Sequence, residues 1–425
     1  MPFYNPIKKR KKQDSYLLAL DIGTEFVKVA VLKIGEKNKQ GLVIGVGRCQ
    51  QDPANMNAGA VSDIDGVVLC CQEAIDQAAQ MAGVRPQKAV IGIAGELVKG
   101  TTTSFVCKRE DPRQPIYLPE LKNLIQKTQW KAFDKIRRNL SEQTGWSEIE
   151  IKLINALVTD IRIDGHRITN PLGFQGKEVL INIFNVYAPL VHLGALQTIA
   201  AKLNVIPLNI AAEPYALARY SSRFSDKGAI FIDVGGGTTD IALVGQLGLE
   251  ETRSLALAGR NFTKRLSQKL GLGLKEAEEI KIKYSQNELS NSVASKIQNV
   301  FQKDIEIWRE GVELILEEFN SRQTRPLPCN VFLCGGGSYL PEVINTLKSN
   351  QKKWLANFSF NQLPKIDLIQ PDSCCEIADQ TKQMTGPKDI MPLALAKLGL
   401  ISLAEVEKEN ALSFTVKRAV KIMQR

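Results

Sequence analysis

The sequence LALDIGTEFVKVAVL at residues 18–32 returns in altered form as FIDVGGGTTDIALV at residues 231–244. The two stretches align without a gap, so that Asp21 falls on Asp233. Each contains an apolar run, the triplet Asp-x-Gly, a short turn and a second alternating run. This pattern predicts a strand, a tight hairpin and a second strand. The repeat therefore predicts two related lobes, each built on one such hairpin.

The residue types at both turns are those that bind phosphate. Glycine exposes backbone N–H groups and threonine adds a hydroxyl, and phosphate oxygens accept hydrogen bonds from both. The residues that we expect along the phosphates are Gly23, Thr24, Gly235, Gly236, Gly237, Thr238 and Thr239. Asp21 and Asp233 end the two first strands with carboxylates, which suit Mg²⁺ held through its water shell. Lys28 has two interpretations, a phosphate contact or an ion pair across the strands, and Asp240 is a weaker candidate that could simply hold its turn.

A third glycine-rich turn follows a later apolar strand. Residues 330–339 read NVFLCGGGSY, so Gly335, Gly336, Gly337 and Ser338 follow the strand directly. Adjacent glycines allow a ligand to approach the backbone where any Cβ would clash. With the two hairpins, this turn predicts a nucleotide held between two lobes. The sequence contains neither a GxxxxGK[ST] loop nor a GxGxxG that follows a strand.

These motifs, in this order, resemble those of the actin-like ATPase superfamily, and most of all the bacterial cell-division family FtsA. In that superfamily the hairpins are the two phosphate motifs and the triple-glycine turn is the adenosine motif. Residues 164–176, DGHRITNPLGFQG, are similar to a stretch typical of FtsA. The resemblance covers about residues 15–400 and implies ATP with Mg²⁺ as cofactors. The pilus-assembly family PilM is the close alternative, because these motifs do not separate the two families.

The resemblance also implies roles for residues outside the three turns. Residues 277–284, AEEIKIKY, look like the helix that contacts ribose and base, here through Glu278 and Lys281, and Gly259 begins a turn that precedes this helix in relatives. Glu278 and Lys281 are also three residues apart on a helix and could pair in solvent. Glu213 matches the residue that orients the attacking water, although a carboxylate there could merely complement the helix N-terminus.

The predicted catalytic set is therefore Glu213, Asp21 and Asp233. The resemblance does not imply fast turnover. It implies a weak Mg-dependent ATPase whose nucleotide acts as a switch of conformation or polymerisation.

The predicted fold is α/β, a duplicated actin-like (ribonuclease H-like) two-lobe ATPase fold with an inserted small α+β subdomain. We expect a basic disordered tail at 1–14 and the first lobe at 15–99. The FtsA-type insertion follows at 100–187, and a return to the first lobe with a connecting helix at 188–225. The second lobe is predicted at 226–403, with nucleotide-contacting helices at 259–325, and a C-terminal tail with a basic amphipathic segment at 404–425.

Charge and composition limit the possible partners. The 425 residues carry a formal charge of +10, but much of this excess is terminal: residues 8–12 read KKRKK, and residues 411–425 have four cations and no acid. A nucleic-acid partner is therefore not needed to explain the charge. Eight cysteines without a CxxC motif predict reduced thiols, and two histidines make a His-based metal site or a Ser-His triad improbable.

The sequence contains no apolar run of about 18 residues, and its charged N-terminus is not followed by an apolar segment typical of a secretory signal. We therefore expect a cytoplasmic protein, and the resemblance implies a peripheral position on the inner membrane face. The resemblance implies self-association into a filament or dimer and binding to the tail of the tubulin-like division protein, which this chain would tether to the membrane. The alternatives are a PilM-like cytoplasmic scaffold of type IV pilus assembly and, more remotely, a sugar or acetate kinase.

The C-terminal segment supplies a candidate membrane element. On a helix, one stripe would consist of Leu412, Val416, Ala419, Val420 and Met423, while Lys417, Arg418, Lys421 and Arg425 would face away. Basic amphipathic helices of this kind lie on anionic membranes. A solubilising tail without membrane contact is the alternative interpretation.

We predict that residues 412–425 give reversible attachment to anionic vesicles. Because the apolar stripe is small, the four cations must supply a comparable share of the binding energy, so binding should fall steeply with salt, which screens charges beyond about 8 Å at physiological ionic strength. Val416→Glu should weaken binding by placing an acid within the stripe. Co-sedimentation with anionic and neutral vesicles measures this, and equal pelleting of a chain truncated before residue 412 would exclude the segment as an anchor.

Overall fold

The computed structural model describes residues 15–35, 40–145, 150–220, 227–246, 248–323 and 325–407. The strands, in chain order, are β1 (Ser15–Ile22), β2 (Phe26–Ile34), β3 (Gly41–Gln50), β4 (Met56–Asn57), β5 (Ala60–Val61), β6 (Lys88–Ile93), β7 (Lys99–Lys108), β8 (Ile151–Ile163), β9 (His166–Arg167), β10 (Glu178–Pro189), β11 (Ile206–Ala212), β12 (Ala229–Val234), β13 (Thr239–Gly245), β14 (Gly248–Leu255), β15 (Asn330–Cys334), β16 (Lys365–Leu368) and β17 (Ile377–Asp379). The α-helices are α1 (Ile64–Ala82), α2 (Leu118–Thr144), α3 (Leu190–Lys202), α4 (Glu213–Tyr220), α5 (Gly259–Leu270), α6 (Leu274–Ser285), α7 (Asn291–Arg322), α8 (Pro341–Ser349), α9 (Gln351–Asn357) and α10 (Ile390–Glu407).

Two sheets repeat the same five-strand arrangement. The first runs β11-β6-β1-β2-β3, and the second runs β16-β15-β12-β13-β14. In each, an antiparallel hairpin pairs on one side with a third antiparallel strand and on the other with a parallel strand. The duplication predicted from the two hairpin motifs is therefore present in the topology of the whole chain.

The two hairpins also match in register and turn geometry. Asp21 lies opposite Lys28 in the first hairpin, and Asp233 lies opposite Asp240 in the second. The Gly23 N–H donates to the Phe26 carbonyl at 3.2 Å, and the corresponding bond from Gly235 to Thr238 measures 2.9 Å. Both motifs thus end their first strand with a carboxylate at the same point of the same turn.

The inserted region continues the second sheet. After β14 the order runs β7-β10-β8-β9, so nine strands form one sheet, and α2 packs on β7 and β10. A small core between α2 and these strands contains Leu121, Ile125, Ile161 and Ile181. The insertion predicted at 100–187 therefore has a core of its own while it shares its sheet with the second lobe.

The end of the described chain returns to the first lobe. β17 pairs in parallel with β3, and α10 packs on β1 and α4. The buried residues of α10, among them Leu395 and Leu398, belong to the same core as Leu17 and Val90. Residues 226–403 were predicted as the second lobe, so the return of β17 and α10 to the first lobe is a correction. Because α10 is apolar around much of its circumference, its sequence does not indicate which lobe it packs against.

The second lobe has its own core between its sheet and helices α5–α8, with Phe262, Phe301, Trp308 and Leu333 at the centre. No helix among the described residues combines the length and apolar character needed to cross a bilayer. The basic segments predicted at 1–14 and 412–425 lie outside the described residues.

Candidate nucleotide site

The two hairpin turns meet beside a cleft of about 240 Å³ between the lobes, and both turns line it. Of the residues predicted from the sequence, those that line it are Asp21, Gly23, Thr24, Lys28, Glu213, Asp233, Gly235, Gly236, Gly237, Thr238, Gly259, Glu278, Lys281, Gly335, Gly336 and Gly337. These residues come from six separate parts of the sequence. The fold therefore brings the predicted motifs to one cleft.

The turns of the two lobes are in direct contact. A Cβ added at Gly237 would lie 2.3 Å from the Thr24 hydroxyl oxygen, and one at Gly236 would lie 2.8 Å from Glu25 Cβ. Only glycine allows this approach at residues 236 and 237, because such distances are shorter than real Cβ contacts. The Thr24 hydroxyl also accepts a hydrogen bond of 3.1 Å from the Gly59 N–H. The glycines of the second turn are thus explained by packing between lobes, even before any ligand is considered.

Four buried carboxylates and one buried lysine line the same cleft: Asp21, Glu213, Asp233, Asp240 and Lys28. Lys28 Nζ lies 3.1 Å from Asp21 Oδ2. Of the two roles predicted for Lys28, the structure therefore contains the ion pair across the strands. Burial opposes the charged form of Lys28, but Asp21 and then Asp233 attract it, and its pKa stands above the ordinary value. Burial, and next the charge of Asp240, raise the pKa of Asp233 to about 7. The cluster therefore carries more acid groups than one lysine neutralises.

Asp240 stabilises the turn of the second hairpin, which is one of the two roles considered for it from the sequence. Its carboxylate accepts a hydrogen bond of 2.8 Å from the Thr238 hydroxyl and another from Ser254. Burial raises its pKa, and these two hydrogen bonds oppose the rise. Asp240 also lines the cleft.

Glu213 begins α4 and points its carboxylate toward this cluster. Its Oε1 atom is buried and has no hydrogen-bond partner within the described part of the chain. Burial, and then the charge of Asp21, raise the pKa of Glu213 well above its usual range. A buried, unpartnered carboxylate oxygen costs free energy unless a donor or water reaches it. Its position therefore fits a group that holds a water, whereas a helix-capping role alone leaves this oxygen unexplained.

The donor set fits Mg²⁺ held through water. In the described ranges, no three His, Cys, Asp or Glu side chains converge as ligands of a single metal ion. Mg²⁺ usually keeps several waters and uses one or two carboxylates plus substrate phosphates. Asp21 and Asp233, one from each lobe, supply two carboxylates in a cluster with excess negative charge.

Glu278 and Lys281 form a buried pair on α6. Lys281 Nζ lies 2.6 Å from Glu278 Oε2, 2.8 Å from the Thr263 hydroxyl and 3.0 Å from the Gly259 carbonyl oxygen. The alternative of a solvent ion pair is therefore wrong, because both side chains are buried between α5 and α6. They connect the Gly259 turn to the cleft wall.

The three glycines of the third turn differ in what they do. Gly335 has φ of +85°, and a Cβ on Gly337 would lie 2.5 Å from Val234 Cγ1. A Cβ on Gly336 would meet no atom within 4 Å, although Gly336 lines the cleft. Gly335 and Gly337 are thus required by the fold, and Gly336 alone borders open space.

Two predicted ligand residues lie behind the cleft wall. The Thr239 hydroxyl donates to the Leu257 carbonyl at 2.6 Å and accepts from Trp308 Nε1 at 2.9 Å. The Ser338 hydroxyl donates to the Gly335 carbonyl at 2.7 Å. Neither residue is among those that line the cleft. Both were predicted because they adjoin glycine motifs, but their hydroxyls are used to hold the backbone.

Several lining residues were not predicted. Ser285 lies one helical turn beyond Lys281, so the spacing i, i+4 could have found it. Arg48 comes from β3 and forms an ion pair with Asp389, next to Lys388, which also lines the cleft. No local pattern links residues that are more than three hundred positions apart. The position of Arg48 and Lys388 in the cleft wall could therefore not be predicted from the sequence.

Arg260 joins the two lobes at the edge of the cleft. From the start of α5 its guanidinium donates to Glu25 Oε2 at 3.0 Å, to the Thr24 carbonyl at 2.6 Å and to the Met56 carbonyl at 2.8 Å. Arg260 and Glu25 are both largely buried. Charge-assisted hydrogen bonds of this kind are stronger than neutral ones. Arg260 thus holds the first-lobe turn against the second.

We predict that Arg260→Gln weakens nucleotide binding on the order of tenfold, because hydrogen bonds to charged groups are worth about 1.5–3 kcal/mol. The loss should appear mainly as faster dissociation of a fluorescent nucleotide. Arg265→Gln on the same helix is the matched control, since Arg265 pairs with Asp304 inside the second lobe at 2.7 Å. Equal losses of nucleotide affinity in both variants would show a general defect of α5. They would contradict the role of Arg260 in holding the two lobes together.

We predict that Gly336→Val abolishes nucleotide binding while the protein stays folded. The new side chain would enter open cleft space and occlude the ligand without touching the fold. Gly337→Ala is the contrasting variant, because its Cβ would collide with Val234, and it should lower the melting temperature. Unchanged nucleotide affinity of Gly336→Val in a fluorescence titration would refute the assignment of this turn.

The comparisons with known proteins agree with these motifs. The family model "Cell division protein FtsA" matches residues 230–383. The Bacillus subtilis (strain 168) protein "Cell division protein FtsA" is 24% identical over 351 residues, which cover 77% of this chain and 75% of that protein. The Escherichia coli (strain K12) protein of the same description is 28% identical over 276 residues, which cover 63% of this chain and 60% of that protein.

Among solved structures, one chain of "PilM-PilN type IV pilus biogenesis complex" superposes with a TM-score of 0.64 over 90% of this chain and 98% of that chain. Its sequence identity is 16%, so the likeness concerns the fold. The predicted resemblance and fold class are both confirmed: the chain has the duplicated actin-like fold, and its sequence is similar to those of FtsA proteins.

Proposed function

We propose that this chain is an ATP-binding, actin-like protein of bacterial cell division, which polymerises and tethers the tubulin-like division ring to the inner face of the membrane. One observation carries the nucleotide part of this proposal. Two equivalent Asp-x-Gly hairpins, one from each lobe, meet turn to turn and enclose Asp21 and Asp233 beside a glycine-bordered cleft.

The chemistry of the cleft favours a phosphate ligand with a cation. Backbone N–H groups and threonine hydroxyls at the turns are donors for phosphate oxygens. When bound, Mg²⁺ would neutralise phosphate charge, and Asp21 and Asp233 would hold its water shell. Glu213 would orient a water, because it lines the same cleft as Asp21 and Asp233. Slow hydrolysis fits the role of a switch of conformation or polymerisation.

The similarity to FtsA supports the cell-division part. The matched residues include the second phosphate turn and the adenosine turn. Self-association, contact with the tail of a tubulin-like protein and peripheral attachment to the membrane are proposed on the same basis. The PilM-like scaffold remains the second candidate, favoured by the likeness of fold over nearly the whole chain.

Pelleting experiments separate these two candidates. For the division role, we expect Mg-ATP to make the protein sediment as filaments, and a tubulin-like division protein to bind only while it keeps its C-terminal tail. A protein that stays monomeric with Mg-ATP and binds instead a cytoplasmic peptide of a pilus membrane protein would support the scaffold.

We predict opposite effects of Asp233→Asn on stability and on Mg-ATP binding. The folded pKa of Asp233 is about 7, above the usual 3.8 of an aspartate, so its stabilising contribution is present below about pH 4 and lost as the pH rises through 7. At about pH 8 the nucleotide-free variant should therefore melt higher than the wild type, with a smaller difference at about pH 5. Its affinity for Mg-ATP should fall more than its affinity for ATP without metal.

Asp372→Asn on the exposed surface is the control and should change none of these values. Calorimetry gives the melting temperatures, and isothermal titration with and without Mg²⁺ gives the affinities. Equal loss of affinity with and without Mg²⁺ would contradict the metal role of Asp233.

A further inference from the structure

The inserted subdomain touches the first lobe at the strand that leads into Glu213. β11 is the outermost strand of the first sheet and pairs with β6 along one side. On its other side it packs against β8, which belongs to the insertion. β11 ends at Ala212, and α4 begins at the next residue with Glu213, which lines the nucleotide cleft. The position of Glu213 therefore depends on how the end of β11 is held.

One side chain of the insertion holds the end of β11. Asn155 of β8 accepts a hydrogen bond of 2.9 Å from the Ala212 N–H through its Oδ1 atom. Its Nδ2 atom donates to the Ile210 carbonyl oxygen at 3.4 Å and to Asn209 Oδ1 at 3.3 Å. The amide of Asn155 thus bonds to a C=O and an N–H two residues apart, and it takes the place of a strand partner on this edge of β11.

The Asn155 amide is buried, and so is the backbone that it binds. Asn155 is 4% exposed, and Ala212 is fully buried. A buried backbone N–H that loses its acceptor costs the full desolvation free energy of that group. If Asn155 were shortened, we therefore expect the end of β11 to shift until the Ala212 N–H finds another acceptor or a water. Glu213 is the next residue along the chain and would shift with it.

A second contact from the insertion supports the first turn of α4. The ring of Phe184 on β10 stacks on the ring of Tyr215, with centroids 6.2 Å apart and planes 5° apart. Both rings are buried in the core of the first lobe. Tyr215 lies two residues after Glu213, so the insertion contacts the chain on both sides of this carboxylate.

The Glu213 side chain has little room to adjust its own position. A Cβ added to Gly92 of β6 would lie 3.1 Å from Glu213 Oε1 and 3.3 Å from its Cγ. The side chain therefore packs directly on the backbone of β6, while Oε1 has no hydrogen-bond partner within the described ranges. The position of Oε1 is thus set by packing and by the backbone that carries Glu213.

We propose that Asn155 is a positioning residue for Glu213: by fixing the end of β11, it keeps the carboxylate where it orients the attacking water. This inference rests on the proposed function, in which the protein hydrolyses ATP with Glu213 beside the phosphates. The hydrogen bonds of Asn155 go to β11 and not to the two hairpin turns, so its loss should affect hydrolysis and not affinity. The insertion thereby takes part in hydrolysis, although none of the described residues at 100–187 lines the cleft.

The single-turnover rate of Mg-ATP hydrolysis and the dissociation constant of Mg-ATP separate positioning from binding. Asn155→Ala should lower the rate constant at least about tenfold, because small misplacements of a catalytic group slow the chemical step strongly. The dissociation constant should change less than about twofold. Asn185→Ala is the matched control, because Asn185 is also a buried asparagine of the insertion but donates to the Ile183 carbonyl within β10 at 3.1 Å. Equal hydrolysis rates in the two variants would overturn the proposal.

A double-mutant cycle tests whether Asn155 acts through Glu213. If it does, Asn155→Ala should slow hydrolysis in the wild type but cause no further loss once Glu213→Ala has removed the carboxylate. Equal factors in both backgrounds would overturn the proposal, because Asn155 would then act independently of Glu213. A wild-type rate in Glu213→Ala would overturn the proposed role of Glu213 and this inference with it. A slow Glu213→Ala beside a wild-type rate in Asn155→Ala would overturn this inference alone.

Asn155→Asp carries the test if Asn155→Ala does not fold. Its carboxylate still accepts from the Ala212 N–H, and once protonated it also donates to the Ile210 carbonyl, as the amide does. Because burial raises the pKa of a carboxyl group, the rate of this variant relative to the wild type should rise as the pH falls from about 8 to about 6. A ratio of rates that does not change with pH would overturn the hydrogen-bonding role of Asn155.

Discussion

The contact between the two hairpin turns is the constraint on which the site depends. Gly236 and Gly237 approach Thr24 and Glu25 so closely that any side chain at either glycine would separate the lobes. Arg260 holds this contact from the second lobe by donating to Glu25 and to the Thr24 carbonyl. The distance between the lobes is therefore fixed at the place where the phosphates of a nucleotide are expected.

The same closure creates an electrostatic problem that a ligand would relieve. It buries Asp21 and Asp233 in one cluster with Asp240 and Glu213, and Lys28 is the cation ion-paired with this cluster in the described residues. Burial and mutual repulsion raise the pKa of Asp233 and Glu213, which means that the empty cleft disfavours their charged forms. A bound cation would reverse this preference. The buried carboxylates thus lower the stability of the ligand-free protein and raise its affinity for a ligand with a cation, a trade-off that is common at functional sites.

Much of this site could be predicted from the sequence, because each hairpin is local. The Asp-x-Gly triplet, the glycines and the alternating runs lie within about fifteen residues and determine strand, turn and register together. Two predicted ligand residues do not line the cleft. Thr239 and Ser338 adjoin the correct motifs, but their hydroxyls bond to backbone carbonyls behind the wall.

The long-range features gave no local signal. α10 returns to the first lobe, Arg48 reaches Asp389 across most of the chain, and β7 extends the second sheet. Each of these depends on which surfaces meet after folding. The residues next to an apolar helix or a lone arginine in the sequence do not indicate its packing partner. The raised pKa values of the clustered carboxylates could not be predicted either, because they depend on burial that arises only when the two lobes assemble.

The central claim is that one nucleotide is held by both hairpin turns at once. Hydrogen exchange of backbone amides, followed by mass spectrometry during a titration with Mg-ATP, tests this claim most directly. The account predicts that the turn at residues 23–26 and the turn at residues 235–238 become protected together, with the same midpoint. Protection of one turn alone, or two clearly different midpoints, would contradict it.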